Sequence, residues 1–165
     1  MYRHILIPTD GSELAEHAVT NGLSLAKFVG AKVTVVIVQE TFDWLSVPET
    51  RASQRQALEN LAKHNEQVEK HAASVLSRAA DAAKQAGVPC DTMQVANARP
   101  YQAIIAAASD RGCDLIVMAS HGRGGLSAVV LGSVTNKVLT HTNFWCIAEC
   151  AGGTFWIGGH CTEPS

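Results

Sequence analysis

Six consecutive residues, Val33-Thr34-Val35-Val36-Ile37-Val38, are apolar or β-branched at every position. A strand with one face in water alternates apolar and polar side chains, whereas a strand buried on both faces is apolar throughout. Central strands of parallel sheets, covered by helices on each side, are of the second kind. This stretch therefore predicts a parallel sheet inside an α/β domain.

The segments on either side of this strand alternate between predicted strands and predicted helices. We predict strands at 3–8, 90–96 and 114–119, helices at 12–29, 55–86, 100–112 and 126–141, and a long connection at 39–54. Gly132-Ser133 lies either inside the last of these helices or at a break in it. Alternation of this kind is typical of a doubly wound sheet with right-handed crossovers. We expect one Rossmann-like three-layer sandwich whose five parallel strands have the order 3-2-1-4-5.

The composition excludes several classes of protein. The chain has 165 residues, of which 47% are hydrophobic, which fits a single domain with a sizeable core. A formal net charge of −2 gives no basic face for nucleic acid. No apolar run approaches the ~20 residues of a membrane-spanning helix, and the first residues do not form a signal-peptide core. We therefore expect a cytoplasmic protein that binds neither nucleic acid nor membrane.

Two segments are expected to form a ligand site at the carboxyl ends of the strands, where the strand order reverses. One reads PTDG at 8–11, and the other reads ASHGRGG at 119–125. Glycines let backbone N–H groups approach an anion, and a helix start adds a favourable dipole. Gly132-Ser133 and Thr135 offer further donors for a di- or triphosphate. No Walker A sequence occurs, so a turn that merely closes a strand–helix connection stays an alternative.

The segment MASHGRGGLS at 118–127, followed by LGSVT at 131–135, resembles the signature of the universal stress protein family. The opening ILIPTDGS at 5–12 is similar to that family too, and the resemblance covers residues 1–143. ATP-binding members carry glycine, two residues, glycine, nine residues, then glycine followed by serine or threonine. Gly122, Gly132 and Ser133 match this pattern, whereas Ala119 stands at its first glycine. The resemblance implies the adenine nucleotide alpha hydrolase-like version of the fold.

What the resemblance implies for function is ATP binding, with Mg²⁺ held with help from the phosphates, in stress response or signalling. Pro8, Thr9 and Asp10 would border the adenosine, with Asp10 near the ribose, and Val38 would meet adenine through its backbone. The phosphates would be wrapped by Met118, Ala119, His121, Gly122 and Arg123 on one side and by Gly132, Ser133, Val134 and Thr135 on the other. The family usually dimerises through its last strand, so a homodimer is expected if that strand forms.

Two other functions stay open. Ala119 favours a nucleotide-free, dimeric interaction module of the same family. A nucleotide hydrolase is the other, since Ser120-His121 invites comparison with a nucleophile elbow, but Met118 stands where that motif needs its first glycine. We expect no catalytic residues and at most slow ATP hydrolysis. By itself, Asp10 after a strand is often a turn-former, and His17, His64 and His71 are expected to be solvated.

Residues 144–165 differ in composition from the rest of the chain. They contain two of the three tryptophans, three of the five cysteines and no Lys or Arg. One hypothesis is a frameshifted or otherwise altered terminus, which the same tail in close relatives would contradict. Alternatively, 144–148 pairs as the fifth strand, or Cys146, Cys150, His160 and Cys161 bind a metal, although adjacent His and Cys ligands strain tetrahedral geometry.

Overall fold

The computed structural model describes residues 1–39, 51–120, 131–149 and 155–158, of which 51–58 and 155–158 are described by their backbone alone. The elements in these ranges are β1 (His4–Thr9), α1 (Glu13–Val29), β2 (Lys32–Gln39), α2 (Arg51–Ala86), β3 (Cys90–Ala96), α3 (Pro100–Asp110), β4 (Leu115–Ala119), α4 (Ser133–His141), β5 (Trp145–Glu149) and β6 (Phe155–Gly158). Strand and helix alternate as far as β5, as the sequence predicts.

The strands form one sheet with the order β3-β2-β1-β4-β5-β6. Strands β1 to β5 pair in parallel, which confirms the predicted order 3-2-1-4-5. Ile5 of β1 pairs with Val33 on one side and with Leu115 on the other. The order therefore reverses between β1 and β4. The carboxyl ends of these two strands, at Thr9 and Ala119, border the crevice where such sheets bind ligands.

Helices cover both faces of the sheet, which explains why its central strands are mostly apolar. One core packs Ile5, Ile7, Val33, Val35, Leu115 and Val117 against Val19, Leu23 and Ala26 of α1 and Ala79 and Ala83 of α2. The other packs Leu6, Val36, Ile116 and Met118 against Ile104 and Ala107 of α3 and Val138 of α4. Successive side chains of a strand point to opposite faces, so each strand contributes to both cores.

Helix α1 lies unusually close to the sheet because Gly22 faces the sheet. A Cβ added at Gly22 would stand 2.5 Å from Ile7 Cδ1 and 3.5 Å from Val117 Cγ1. The helix also has clear end signals: Ser12 caps it, and Gly30 ends it with a left-handed φ of 73°. The close contact fixes where the first turn of α1 stands above the carboxyl end of β1.

The predicted connection at 39–54 is wrong at both ends. Gln39 is the last residue of β2, and α2 begins at Arg51 rather than at Arg55, while 40–50 lie outside the described residues. Among the side chains of α2 that are described, from 59 to 86, Ala72, Val75, Ala79 and Ala83 are buried, and they lie in the second half of the helix. That half packs on the sheet and contributes to the core.

The C-terminal segment completes the sheet. Trp145–Glu149 forms β5, which confirms the alternative in which this segment pairs as the fifth strand. The sheet then continues into β6, an antiparallel strand not expected from the sequence, which pairs Phe155 with Glu149 and Gly158 with Cys146. None of the helices in the described ranges is long and apolar enough to cross a membrane.

Of the residues considered as metal ligands, only Cys146 lies in the described part of the chain. Its side chain is buried in the core beneath α3 and α4, and burial raises the pKa of its thiol to about 12. Zinc binds the thiolate form of cysteine, which this environment disfavours. Within the described ranges, no three His, Cys, Asp or Glu side chains lie close enough together to hold a metal ion.

Candidate functional site

The candidate site lies where β1 and β4 end side by side. The turn after β1 is held by its own side chains: Gly11 N donates to Thr9 Oγ1 at 3.2 Å, and Ser12 N donates to Asp10 Oδ1 at 3.0 Å. Ser12 Oγ in turn accepts from Ala15 N at 3.3 Å and caps α1. Asp10 therefore forms an Asx turn that leads the chain from β1 into α1.

Position 11 has no room for a side chain and therefore needs glycine. Its φ is +76°, a left-handed conformation, and a Cβ there would stand 2.6 Å from Val75 Cγ2 and 3.0 Å from His71 Nε2. The same His71 ring nitrogen lies 3.4 Å from the Asp10 carbonyl oxygen. Helix α2 thus crosses directly over the β1 turn and supports it from above.

Sequence reasoning missed the position of His71, which was expected simply to be solvated. The side chain is exposed, but it contacts the turn that carries Asp10. One feature of the sequence did indicate this position: His71 lies four residues before Val75, and residues four apart lie on the same side of a helix. Val75 belongs to the buried face of α2. The contact with Asp10 depends on how α2 crosses β1, which the sequence does not reveal.

Ala119 ends β4, and its side chain packs against α1. It is 8% exposed and belongs to a small cluster with Ala15 and Ala18 of α1, against which Leu14 also packs. As the last residue of a β-strand, it has an extended backbone that any residue adopts without strain. The methyl group that distinguishes Ala119 from the family's glycine is therefore accommodated by the small residues of α1.

The start of α4 is the second half of the candidate site. Helix α4 begins at Ser133 and 131–132 are not helical, which agrees with the predicted alternative of a break at Gly132-Ser133. The predicted start at 126 stays a prediction, because 126–130 lie outside the described residues. Gly132 is the N-cap, with φ −58° and ψ 152° and no side-chain capping bond. Ser133 is exposed, Val134 is half-buried, and Thr135 is 3% exposed. The N-cap residue thus supplies no side chain to the first amides of α4.

Backbone and side-chain bonds fix this helix start against β4. Gly132 N donates to the carbonyl of Ser120 at 2.7 Å, and the Thr135 hydroxyl donates to the carbonyl of Ala119 at 2.9 Å. The Thr135 hydroxyl thus donates its one hydrogen bond to β4 in this structure. Its predicted bond to a phosphate oxygen stays a prediction.

The charge around the starts of α1 and α4, the two helices beside the ends of β1 and β4, differs. Helix α1 has Glu13 and Glu16 in its first turn together with the Ser12 cap, so its positive end is already compensated. Helix α4 has no acidic residue in its first turn. Between these two helix starts, α4 is the one that favours an anion.

Some of the remaining predicted site residues lie in the described part of the chain, and the others lie outside it. Pro8 and Met118 are buried near the ends of β1 and β4. The pairing of β1 with β2 ends at Thr9 and Ile37, so Val38 lies one residue beyond the last pair, at the same edge of the sheet. His121, Gly122 and Arg123 lie outside the described residues.

The groups whose pKa is shifted all lie at the opposite edge of the sheet, at the amino ends of strands. Burial lowers the pKa of His4, raises that of the Cys90 thiol, and raises those of Cys113 and Cys146 to about 11 and about 12. Strongly perturbed groups in a cleft are a common mark of catalytic sites. In the described part of the chain, these shifts are separated from the candidate site by the length of the strands.

The chain matches the model of the universal stress protein family over residues 1–145. It belongs to that family. A universal stress protein of Thermus aquaticus, from the QAH/OAS sulfhydrylase 3′ region, is 31% identical over 140 residues, covering 84% of this chain and 92% of its own. Universal stress protein MJ0577 of Methanocaldococcus jannaschii is 30% identical over 154 residues, covering 87% of this chain and 91% of its own.

Solved structures agree with the fold of this universal stress protein. The structure of MJ0577 covers 90% of this chain and 95% of its own, with a TM-score of 0.70 and 28% sequence identity. A universal stress protein crystallised in complex with cAMP covers 89% of this chain and 96% of its own, with a TM-score of 0.64 and 23% identity. At that identity the second likeness concerns the fold alone.

Proposed function

We propose that this universal stress protein binds an adenine nucleotide, with ATP as the leading ligand, at the carboxyl ends of β1 and β4. The observation that carries the proposal is the first turn of α4. Its N-cap residue is a glycine without a capping side chain, its first turn has no acidic residue, and it stands beside the end of β4. An uncapped, uncompensated helix start at the switch point of a doubly wound sheet suits a phosphate group.

The phosphates would be bound by the backbone amides of Ser133 and Val134, with the exposed Ser133 hydroxyl as a further donor. Each amide bond to a phosphate oxygen is charge-assisted and stronger than a neutral hydrogen bond. Thr135 would act from behind by fixing the helix start to Ala119. His121, Gly122 and Arg123 are proposed to contribute from the glycine-rich segment, as the resemblance implies.

The adenosine would lie toward β2, where Val38 extends beyond the end of β1. Thr9 and Asp10 border that position, and Gly11 and His71 fix the conformation of their turn. Any Mg²⁺ would be held chiefly by the phosphates, because the described residues offer no cluster of three ligands for it. The proposed role is that of a cytoplasmic binding protein in stress response or signalling, without a dedicated nucleophile.

A homodimer is part of the proposal, with one change from the family's usual arrangement. Strand β6 occupies the outer edge of β5, so a partner subunit would pair with β6 or pack elsewhere. An exposed edge strand presents unpaired N–H and C=O groups to another chain. Light scattering of the purified protein, with and without residues 154–165, tests this: the full chain should be dimeric, and a monomer would contradict it.

Calorimetric titration with ATP and MgCl₂ tests the proposed site, using two substitutions at Ser133. Ser133→Ala removes the hydroxyl alone, whereas Ser133→Pro also removes the amide hydrogen. Proline is well tolerated at the first position of a helix, and the extended φ and ψ of Gly132 suit a residue that precedes proline. We expect micromolar binding by the unaltered protein, weakened roughly tenfold or more by Ser133→Pro, the size of one lost charge-assisted bond.

The controls decide between nucleotide binding and the interaction-module alternative. AMP, ADP and cAMP, titrated in parallel, rank the ligands, and circular dichroism of each variant checks that it is folded. If folded protein shows no binding at millimolar nucleotide, the interaction-module function takes precedence. Equal nucleotide affinities for Ser133→Ala and Ser133→Pro would show that the Ser133 amide does not bind the nucleotide.

A further inference from the structure

Glu149 is a buried carboxyl group at the end of β5. It is 5% exposed, and its Oε1 accepts a hydrogen bond from Asn21 Nδ2 of α1. Its Oε2 is buried with no hydrogen-bond partner in the described part of the chain. Glutamate is almost never fully buried unless it is paired, and a buried oxygen without a partner is destabilising. A group that costs stability in this way calls for a compensating role.

The backbone of Glu149 begins a series of short hydrogen bonds that leads to the candidate site. Ser120 N donates to the Glu149 carbonyl at 2.7 Å, and Gly132 N donates to the Ser120 carbonyl at 2.7 Å. Asn136 N then donates to the Gly132 carbonyl at 2.9 Å inside the first turn of α4. The end of β5 is therefore linked, one bond at a time, to the residues on either side of 121–131 and to the proposed phosphate-binding helix start.

The side-chain bond ties this series to a separate layer of the molecule. Asn21 belongs to α1, which packs on the sheet through the Gly22 contact with Ile7. Beyond Glu149 the chain leaves β5, and the next described residue is Phe155 in β6. The Asn21 bond therefore adds a side-chain contact with α1 at the last residue of β5, whose backbone pairs with Ala119 of β4 and with Phe155 of β6.

We propose that Glu149 is a positioning residue, which, through Asn21, holds Ser120 and Gly132 in place and so preorganises the first turn of α4. We call the Asn21–Glu149 side-chain bond with the Glu149–Ser120 and Ser120–Gly132 backbone bonds the β5 clamp. Its effect on ligand affinity rests on the proposed function; its effect on Ser120 and Gly132 does not. Preorganisation lowers the ordering cost of binding, so loss of the clamp weakens affinity without removing any ligand contact.

Amide hydrogen exchange of the ligand-free protein, followed by NMR, tests the clamp directly. The readouts are the amides of Ser120 and Gly132, measured against those of Ile7 and Val35 in the centre of the sheet. Asn21→Ala leaves a buried carboxyl without its partner, and Glu149→Leu removes the carboxyl. Both should speed exchange at Ser120 and Gly132 about tenfold, as expected for loss of one hydrogen bond to a charged group, and leave the reference amides unchanged.

Two further variants separate positioning from general destabilisation. Glu149→Gln keeps an oxygen that accepts from Asn21, so it should restore slow exchange. Ser24→Ala lies on the exposed face of the same helix, where Ser24 Oγ bonds the carbonyl of Thr20, and it should change neither set of amides. Because Asn21 is exposed, its variant is expected to fold even if Glu149→Leu does not.

Unchanged exchange at Ser120 and Gly132 in folded Asn21→Ala would overturn the proposal, as would a uniform rise that includes the reference amides. Nucleotide titration of the same variants completes the test. Weaker binding by Asn21→Ala and normal binding by Glu149→Gln are expected. If exchange responds as expected but the unaltered protein binds no nucleotide, the proposed function fails and the clamp stands.

Discussion

The hydroxyl of Thr135 donates a hydrogen bond to the carbonyl of Ala119, across 2.9 Å and 16 residues of chain. Both residues are buried, at 3% and 8% exposure. The bond joins the first turn of α4 to the last residue of β4. It therefore fixes the first turn of α4, which would bind the phosphates, against the end of β4.

Replacing Thr135 with valine should destabilise the protein by about 1–3 kcal/mol, because the shape is kept while a buried carbonyl loses its partner. Thr135→Ser keeps the hydroxyl and loses one buried methyl group, so its cost should be about 0.5–1.5 kcal/mol, as for a small cavity. Urea unfolding of both variants and of the unaltered protein measures the two costs. A valine variant as stable as the unaltered protein would mean that the bond contributes nothing.

Gly22→Ala should also destabilise the protein, although alanine is the better helix former by about 1 kcal/mol. The added Cβ would stand 2.5 Å from Ile7 Cδ1, and Ile7 is fully buried, so overpacking of about 1–3 kcal/mol opposes that gain. The matched test is Ile7→Val, which removes the Cδ1 methyl.

Alone, Ile7→Val should cost about 0.5–1.5 kcal/mol, as a small cavity does. In the Gly22→Ala background it should cost less or stabilise, because it relieves the contact. Thermal unfolding of the four proteins of this double-mutant cycle measures the coupling. Additive effects would contradict the close approach of α1 to β1.

His4 predicts a loss of stability in mild acid. Its ring nitrogen Nε2 lies 2.8 Å from Thr34 Oγ1, and burial, together with the charge of Lys32, lowers the pKa of the ring. The Arg111 carbonyl and the carboxylates of Asp114 and Asp91 oppose that shift. The folded protein therefore keeps His4 neutral at a pH where the unfolded chain, with a pKa of about 6.5, takes up a proton.

The contribution of His4 to the free energy of unfolding should be constant above neutral pH. It should fall as the pH drops below about 6.5, by up to about 1.4 kcal/mol per pH unit. His4→Gln cannot be protonated and offers an amide to Thr34, so this component of the slope should vanish. Urea unfolding between pH 7.5 and 5 compares the two proteins. Parallel curves for both would show that His4 is not the group responsible.

The sequence predicted the parts of the fold that depend on local pattern. The nearly continuous apolarity of 33–38 and of 115–119 predicted buried parallel strands, and the glycine turns predicted the edge where the candidate site lies. Strand β6 was not predicted, because its four residues stand in a glycine-rich segment and form a strand by pairing with β5.

Contacts between distant elements also escaped prediction. The Ala119 methyl packs on Ala15 and Ala18 because one particular face of β4 meets α1. His71 contacts Asp10 because of the way α2 crosses the β1 turn. The partnership of Asn21 with Glu149 joins residues 128 apart in sequence and has no local signal. Such relationships follow from packing of the layers rather than from the pattern of any one segment.

Titration of the unaltered protein and of Ser133→Asp with ATP and MgCl₂ tests the central claim most directly. A carboxylate in the first turn of α4 would repel a phosphate, yet it should stabilise the helix by about 0.3–1 kcal/mol through the dipole. We predict micromolar binding by the unaltered protein, affinity at least about tenfold lower for Ser133→Asp, and an unfolding temperature that does not fall. No binding by the folded protein at millimolar ATP, or equal affinity for both proteins, would contradict the account.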